Sequence, residues 1–138
     1  MYPPELVKPM REELSSRGFQ ELHTAEEVDK VMHEADGTVL VMVNSVCGCA
    51  AGAARPGIIK AVTSSGKLPK HLATVFAGVD REATDKARAY MAPYPPSSPS
   101  IALFKDGNLV HMIERRHIEG RSADMIAANL LGAFEEYC

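Results

Sequence analysis

Hydrophobic positions along the chain alternate between a helical rhythm and short continuous runs. Leu6, Met10 and Leu14 recur four apart between Pro3-Pro4, where a helix can start, and Gly18, where it can stop. Pro9 inside this window predicts a kink or a delayed start. Phe19 to Leu22 reads as a short extended piece. Thr24, followed three residues later by Glu27, forms a capping-box pattern ahead of Val28, Val31 and Met32 and predicts a helix over Ala25 to Ala35. After the Asp36-Gly37 turn, Thr38 to Val43 is an unbroken apolar, β-branched run, as expected of a central strand covered on both faces.

The alanine-rich stretch AAGAARPGIIKAVTSS then predicts a helix kinked near Pro56 and ending by Gly66. Leu72 to Val79 reads as a second apolar strand. DREATDKARAYM follows as a helix whose early acids, and Lys86 and Arg88 later, suit the helix dipole. Proline-rich residues 94–99 break the pattern. Ser100 to Phe104 and Leu109 to Ile113 flank Asp106-Gly107-Asn108 and predict a hairpin. A last helix capped by Ser122 runs through Glu136, with Ile126, Leu130 and Phe134 on its buried stripe. Strands alternating with helices, closed by a hairpin and a helix, predict an α/β fold with a mixed sheet, in one domain over residues 1–138.

Composition narrows the function. With 46% hydrophobic residues, 24% charged residues and a net charge of −3, the chain lacks the basic excess that phosphate backbones attract, so nucleic acid is not expected as a partner. MYPPELVKPMREEL has no cationic start followed by an apolar core, and the apolar run at Val39 to Val43 is too short to span a bilayer. A cytoplasmic protein with no membrane partner is therefore expected.

Three cysteines is an odd number, and structural disulfides are rare in a reducing cytosol. Two of the three, Cys47 and Cys49, stand one glycine apart where the central strand meets the following helix. A thiol at a helix N-terminus feels exposed N–H groups and the positive end of the dipole, which favour its thiolate. Cys47 is therefore the candidate nucleophile and Cys49, further into the first turn, the candidate resolving thiol. Gly48 relaxes the backbone of the short ring that a bond between them would close, although strain should remain and make that bond easily exchanged. Two buried, inert thiols at a strand end are the alternative. A metal site would need more ligands, and His23, His33, His71, His111 and His117 are scattered without paired spacing. A carrier of metal or persulfide on the same pair stays open as a second function.

Ser98-Pro99 directly precedes the strand SIALF, where a proline is tolerated, either as an ordinary loop proline, the commoner case, or with a cis bond in a tight turn. Together, Asn44-Ser45-Val46-Cys47-Gly48-Cys49-Ala50, Ser97-Ser98-Pro99-Ser100 and Arg116-His117-Ile118-Glu119-Gly120 closely resemble the bacilliredoxin family. The resemblance covers nearly the whole chain. It implies a thioredoxin-like, three-layer α/β/α fold with a mixed central sheet and an extra N-terminal helix. It also implies a thiol–disulfide oxidoreductase, with isomerase activity, that removes the small thiol bacillithiol from S-thiolated client proteins. Cys47 would attack the mixed disulfide and take over the small thiol, with Cys49 or a second thiol regenerating it. Pro99 would be the cis-proline facing the active cysteine, its neighbouring backbone able to pair with an extended client. No resident cofactor is implied; bacillithiol or another low-molecular-weight thiol is co-substrate, and a reducing partner is needed.

Two departures from the wider thioredoxin pattern stand out. The chain has no tryptophan, and Val41, between Leu40 and Met42, occupies the place of the usual buried acid. Strong dithiol reductase activity is therefore not expected, while thiol transfer through Cys47 is unaffected. Asn44 and Ser45 could donate hydrogen bonds near the thiolate and Arg55 could add positive potential, although strand-end capping and solvation are the commoner roles. Tyr94, Pro95 and Pro96 would form an apolar lip or simply fix their loop. Arg115, Arg116 and Arg121 would attract acidic thiols or form a solvated connection. Cys138, the last residue, is assigned no catalytic role.

Overall fold

Strand β2 (Thr38–Asn44) is buried along its whole length, and the rest of the fold is arranged around it. The computed structural model describes residues 2–138. Helix α1 (Pro4–Ser15) leads to the two-residue strand β1 (Gln20–Glu21) and helix α2 (Ala25–Glu34). After β2, a π-helical turn (Ala50–Ala54) opens helix α3 (Arg55–Val62). Strand β3 (His71–Phe76), helix α4 (Arg81–Tyr90) and the hairpin β4 (Ser100–Lys105) and β5 (Asn108–Ile113) follow. The chain ends in the short α5 (Arg115–Ile118) and α6 (Ala123–Tyr137).

The five strands lie in the order β1-β3-β2-β4-β5. Strand β3 is parallel to both β1 and β2, whereas β4 is antiparallel to β2 and β5, so the sheet is mixed as expected. Alternation along β2 separates two cores. Leu40 and Met42 join Ile101, Leu103, Ile58 and Phe134 under α3 and α6. Val39, Val41 and Val43 join Val75, Phe104 and the inner residues of α2 and α4 on the other face. An apolar run with no polar alternation is what such a doubly covered strand requires.

Several local expectations hold at atomic detail. Glu27 N–H donates to Thr24 Oγ1 at 3.1 Å and Thr24 N–H donates to Glu27 Oε1 at 3.1 Å, closing the capping box of α2. Asp106 and Gly107 have φ of 50° and 83°, the two positive values that a two-residue hairpin turn needs. Ser122 Oγ accepts from Met125 N–H and caps α6.

Others are corrected. Helix α1 buries Leu14 and half-buries Met10 as expected, but Leu6 is 46% exposed and Val7 takes its place at the inward face of the first turn. It runs through Pro9 without a break. The bond lost there would go to the carbonyl of Glu5, on an exposed turn that water can satisfy. The irregularity expected near Pro56 is the π-helical turn just before it, where Arg55 N–H donates to the Ala50 carbonyl five residues back. A proline ring crowds the carbonyl four residues before it, and the wider turn relieves this. Strand β3 stops at Phe76, because the chain turns at Gly78 (φ 83°) with Asp80 N–H bonded to the Phe76 carbonyl. Helix α5 has no counterpart among the elements that the hydrophobic pattern predicts. No described helix is long and apolar enough to cross a membrane.

Candidate active site

The end of β2 delivers both thiols to a helix start. The Cys47 carbonyl accepts from the N–H groups of Ala50 and Ala51 at 3.1 and 3.2 Å, so Cys47 occupies the capping position expected of it. Cys49 follows in the first turn and packs against the α3/α6 core. Both thiols are free, with their sulfurs 2.8 Å apart. Ser45 Oγ donates to Cys47 Sγ at 3.3 Å, and Cys47 N–H donates to the same oxygen at 3.4 Å.

These contacts drive the two thiols in opposite directions. Burial pushes the Cys47 thiol up, but hydrogen bonds from Cys49, Ser45 and the Ala50 backbone, with the charge of Arg115, outweigh it and hold Cys47 below the usual thiol range. Burial pushes Cys49 up, reinforced by its hydrogen bond to Cys47 and by the Cys47 charge. The pair therefore shares its first deprotonation unequally: Cys47 carries the negative charge and Cys49 keeps a proton to donate to it.

The Ser98-Pro99 bond is cis, as expected, and Ser98 lines the same open pocket of about 330 Å³ as Cys47. The Ala92-Pro93 bond is also cis, with no signal in the sequence to mark it.

Three supporting roles change. Asn44 does not reach the thiols; its side chain is fully buried, accepting from Ser45 N–H at 2.9 Å and donating to the Met10 carbonyl at 3.2 Å. Gly48 has no left-handed backbone, and a Cβ there would meet nothing within 4 Å, so the dithiol form does not itself require glycine. Arg55 is neither solvated nor aimed at the thiols. It is 2% exposed, with Nη1 bonded to Asn44 and Ser45 and Nε 3.1 Å from Glu13.

The remaining candidates separate as well. Tyr94, Pro95 and Pro96 do not line the pocket. Of the three later arginines only Arg115 does, while Arg116 is paired with Glu114 at 3.1 Å. Cys138 is exposed at the end of α6. Among the described residues no three His, Cys, Asp or Glu side chains gather as a metal site. Sequence reasoning missed Arg88, which reaches the pocket from α4, because helix periodicity alone does not tell which exposed basic residue meets a distant loop.

The family described as disulphide isomerase matches residues 2–138. A bacilliredoxin of Cytophaga hutchinsonii is 62% identical over 136 residues, 99% of each chain. One from Geobacillus kaustophilus is 55% identical over 137 residues, 99% of this chain and 94% of its own. The chain belongs to the bacilliredoxin family. Among solved structures it is similar to a putative oxidoreductase with a thioredoxin fold (TM-score 0.62, 16% identity, 87% of this chain and 96% of that one). Fasciola hepatica thioredoxin also matches (TM-score 0.57, 17% identity, 87% and 100%). These distant likenesses establish the thioredoxin-like fold. Within that fold, Val41 is buried among apolar neighbours, and Arg55, a cation, is buried behind the thiol loop.

Proposed function

We propose that the chain is a thiol–disulfide oxidoreductase and isomerase that removes bacillithiol, or another low-molecular-weight thiol, from S-thiolated proteins in the cytoplasm. The Cys47 thiolate attacks the sulfur of the small thiol; a Cys47–small-thiol disulfide forms, and the client leaves as a thiolate. Cys49 can then attack Cys47 Sγ, releasing the small thiol and leaving a Cys47–Cys49 disulfide that an external thiol reductant must reduce. No resident cofactor takes part.

The observation that carries this reading is the paired site: a Cys47 sulfur that accepts from Ser45 Oγ and lies 2.8 Å from the Cys49 sulfur, beside an open pocket. An ordinary thiol with a pKa near 8.5 is only about 3% ionised at pH 7, and a pKa one unit lower raises that fraction to roughly a quarter. A site that favours the thiolate at Cys47 and the thiol at Cys49 sets the order of the two attacks. Ser98, which precedes the cis Pro99, lines the same pocket as Cys47, so an extended client segment that enters it can meet both.

Mass spectrometry of a bacillithiolated client incubated with the protein tests this. The client should lose the small-thiol mass as Cys47 gains it, and Cys49→Ala should accumulate the adduct. Transfer by Cys47→Ala at the wild-type rate would overturn the proposal.

A further inference from the structure

The pocket beside Cys47 has a one-sided chemistry. Arg88 and Arg115 both line it, and none of the residues that line it is acidic. The two come from different elements, α4 and the start of α5, so distant parts of the chain bring two positive charges to one pocket.

Neither guanidinium is used up by its protein contacts. Arg88 makes a single long hydrogen bond, Nη2 to the Ser97 carbonyl at 3.5 Å, and its Nε is buried without a partner. Arg115 donates Nη1 to the Ser98 carbonyl at 3.1 Å. Its Nε lies 3.5 Å from Glu119, in a pair whose side chains are 43% and 57% exposed. Exposed pairs of that kind are weak and yield to a better-placed anion.

We propose that Arg88 and Arg115 form the subsite for the body of the small thiol, and that they select thiols bearing carboxylates. This deepens the thiol-transfer reading above and rests on it. When Cys47 Sγ bonds to the small thiol's sulfur and the bond to the client sulfur breaks, the small thiol remains attached to Cys47. Its body then has to lie in the adjoining space. That space, about 330 Å³, is at the lower end of ligand-pocket sizes and admits a small organic acid but not a folded client. A guanidinium is the group best matched to a carboxylate, through two parallel charge-assisted hydrogen bonds.

Two versions of one single-thiol client test the subsite. One is capped with mercaptosuccinate, which bears two carboxylates, and the other with uncharged 2-mercaptoethanol. Each kcat/KM is normalised to the rate of release by free dithiothreitol, which removes intrinsic reactivity. The wild-type protein should prefer the mercaptosuccinate client by about tenfold. That ratio should fall on raising the ionic strength to about 1 M, which needs no variant. It should fall towards one in Arg88→Gln and less in Arg88→Lys, which keeps the charge. A wild-type ratio near one, or a ratio indifferent to salt and to Arg88→Gln, overturns the subsite and leaves thiol transfer standing. No transfer from either client overturns the thiol-transfer reading itself.

Discussion

Arg55 holds Asn44 in place from behind: its Nη1 donates to Asn44 Oδ1 at 3.0 Å and also to the Ser45 carbonyl at 2.8 Å. Asn44 in turn bonds Ser45 N–H and the Met10 carbonyl, and Arg55 Nε lies 3.1 Å from Glu13. One buried cation thus ties α1, the end of β2 and the thiol loop to α3. The loop that carries Cys47 starts from this knot, and its geometry depends on the knot being complete.

Arg55→Met should therefore destabilise the fold by about 2–3 kcal/mol, since it removes two buried charge-assisted hydrogen bonds and leaves Asn44 Oδ1 with only its bond from Ser45 N–H. Glu13→Gln should cost less than about 1 kcal/mol, because Glu13 is 43% exposed and water screens its pair. Urea unfolding midpoints measure both. Equal losses would mean that the ion pair, and not the hydrogen bonds to the loop, anchors Arg55.

The pH dependence of Cys47 alkylation reports the contacts on its sulfur. A lowered pKa places the rise in rate at lower pH than for an ordinary thiol, because only the thiolate reacts. Ser45→Ala removes one donor to Cys47 Sγ, and Cys49→Ala another, so each should move the inflection to higher pH. Iodoacetamide rates across pH 5–10, on protein with Cys138→Ser to give a clean signal, provide the curve. An unchanged inflection in both variants would show that the helix start and Arg115 alone hold the thiolate.

Much of the layout was legible because its signals are local. The capping box at Thr24, the Asp106-Gly107 turn and the unbroken run of β2 each encode their geometry within a few residues. The position of Cys47 at a helix cap followed from the same kind of signal. What the sequence left hidden depends on residues that meet only after folding. Arg55 reads as a surface residue of an alanine-rich helix until Asn44 and Glu13 are brought to it. Arg88 is one of several basic residues on α4 until the loop at Ser97 and Ser98 turns it into a wall of the pocket. The exchange of Val7 for Leu6 in the first turn of α1 has the same origin: both are apolar, and only packing decides between them.

Cys138 lies exposed at the end of α6, beyond the elements that build the pocket, and lines no part of it. Cys138→Ser should leave the rate of small-thiol transfer and the mass of the trapped Cys47 adduct unchanged. Loss of turnover, with retained first transfer, would instead make Cys138 a second resolving thiol.

Gly57 is where α3 and α6 approach most demandingly. A Cβ there would lie 2.7 Å from Ile126 Cβ and 3.0 Å from the Ala123 carbonyl oxygen, neither of which is the yielding end of a long side chain. Alanine gains about 1 kcal/mol over glycine in a helix interior, but forcing two packed helices apart costs roughly 1–3 kcal/mol. Overpacking should win, and Gly57→Ala should be net destabilising. Gly132, inside α6, gives the opposite case, since a Cβ there meets nothing within 4 Å. Gly132→Ala should raise stability by about 0.5–1 kcal/mol. Thermal and urea unfolding of the two variants should therefore shift in opposite directions. A stabilising Gly57→Ala would mean that α6 can slide away from α3 at little cost, and that the helix start carrying Cys47 is less firmly seated than its packing implies.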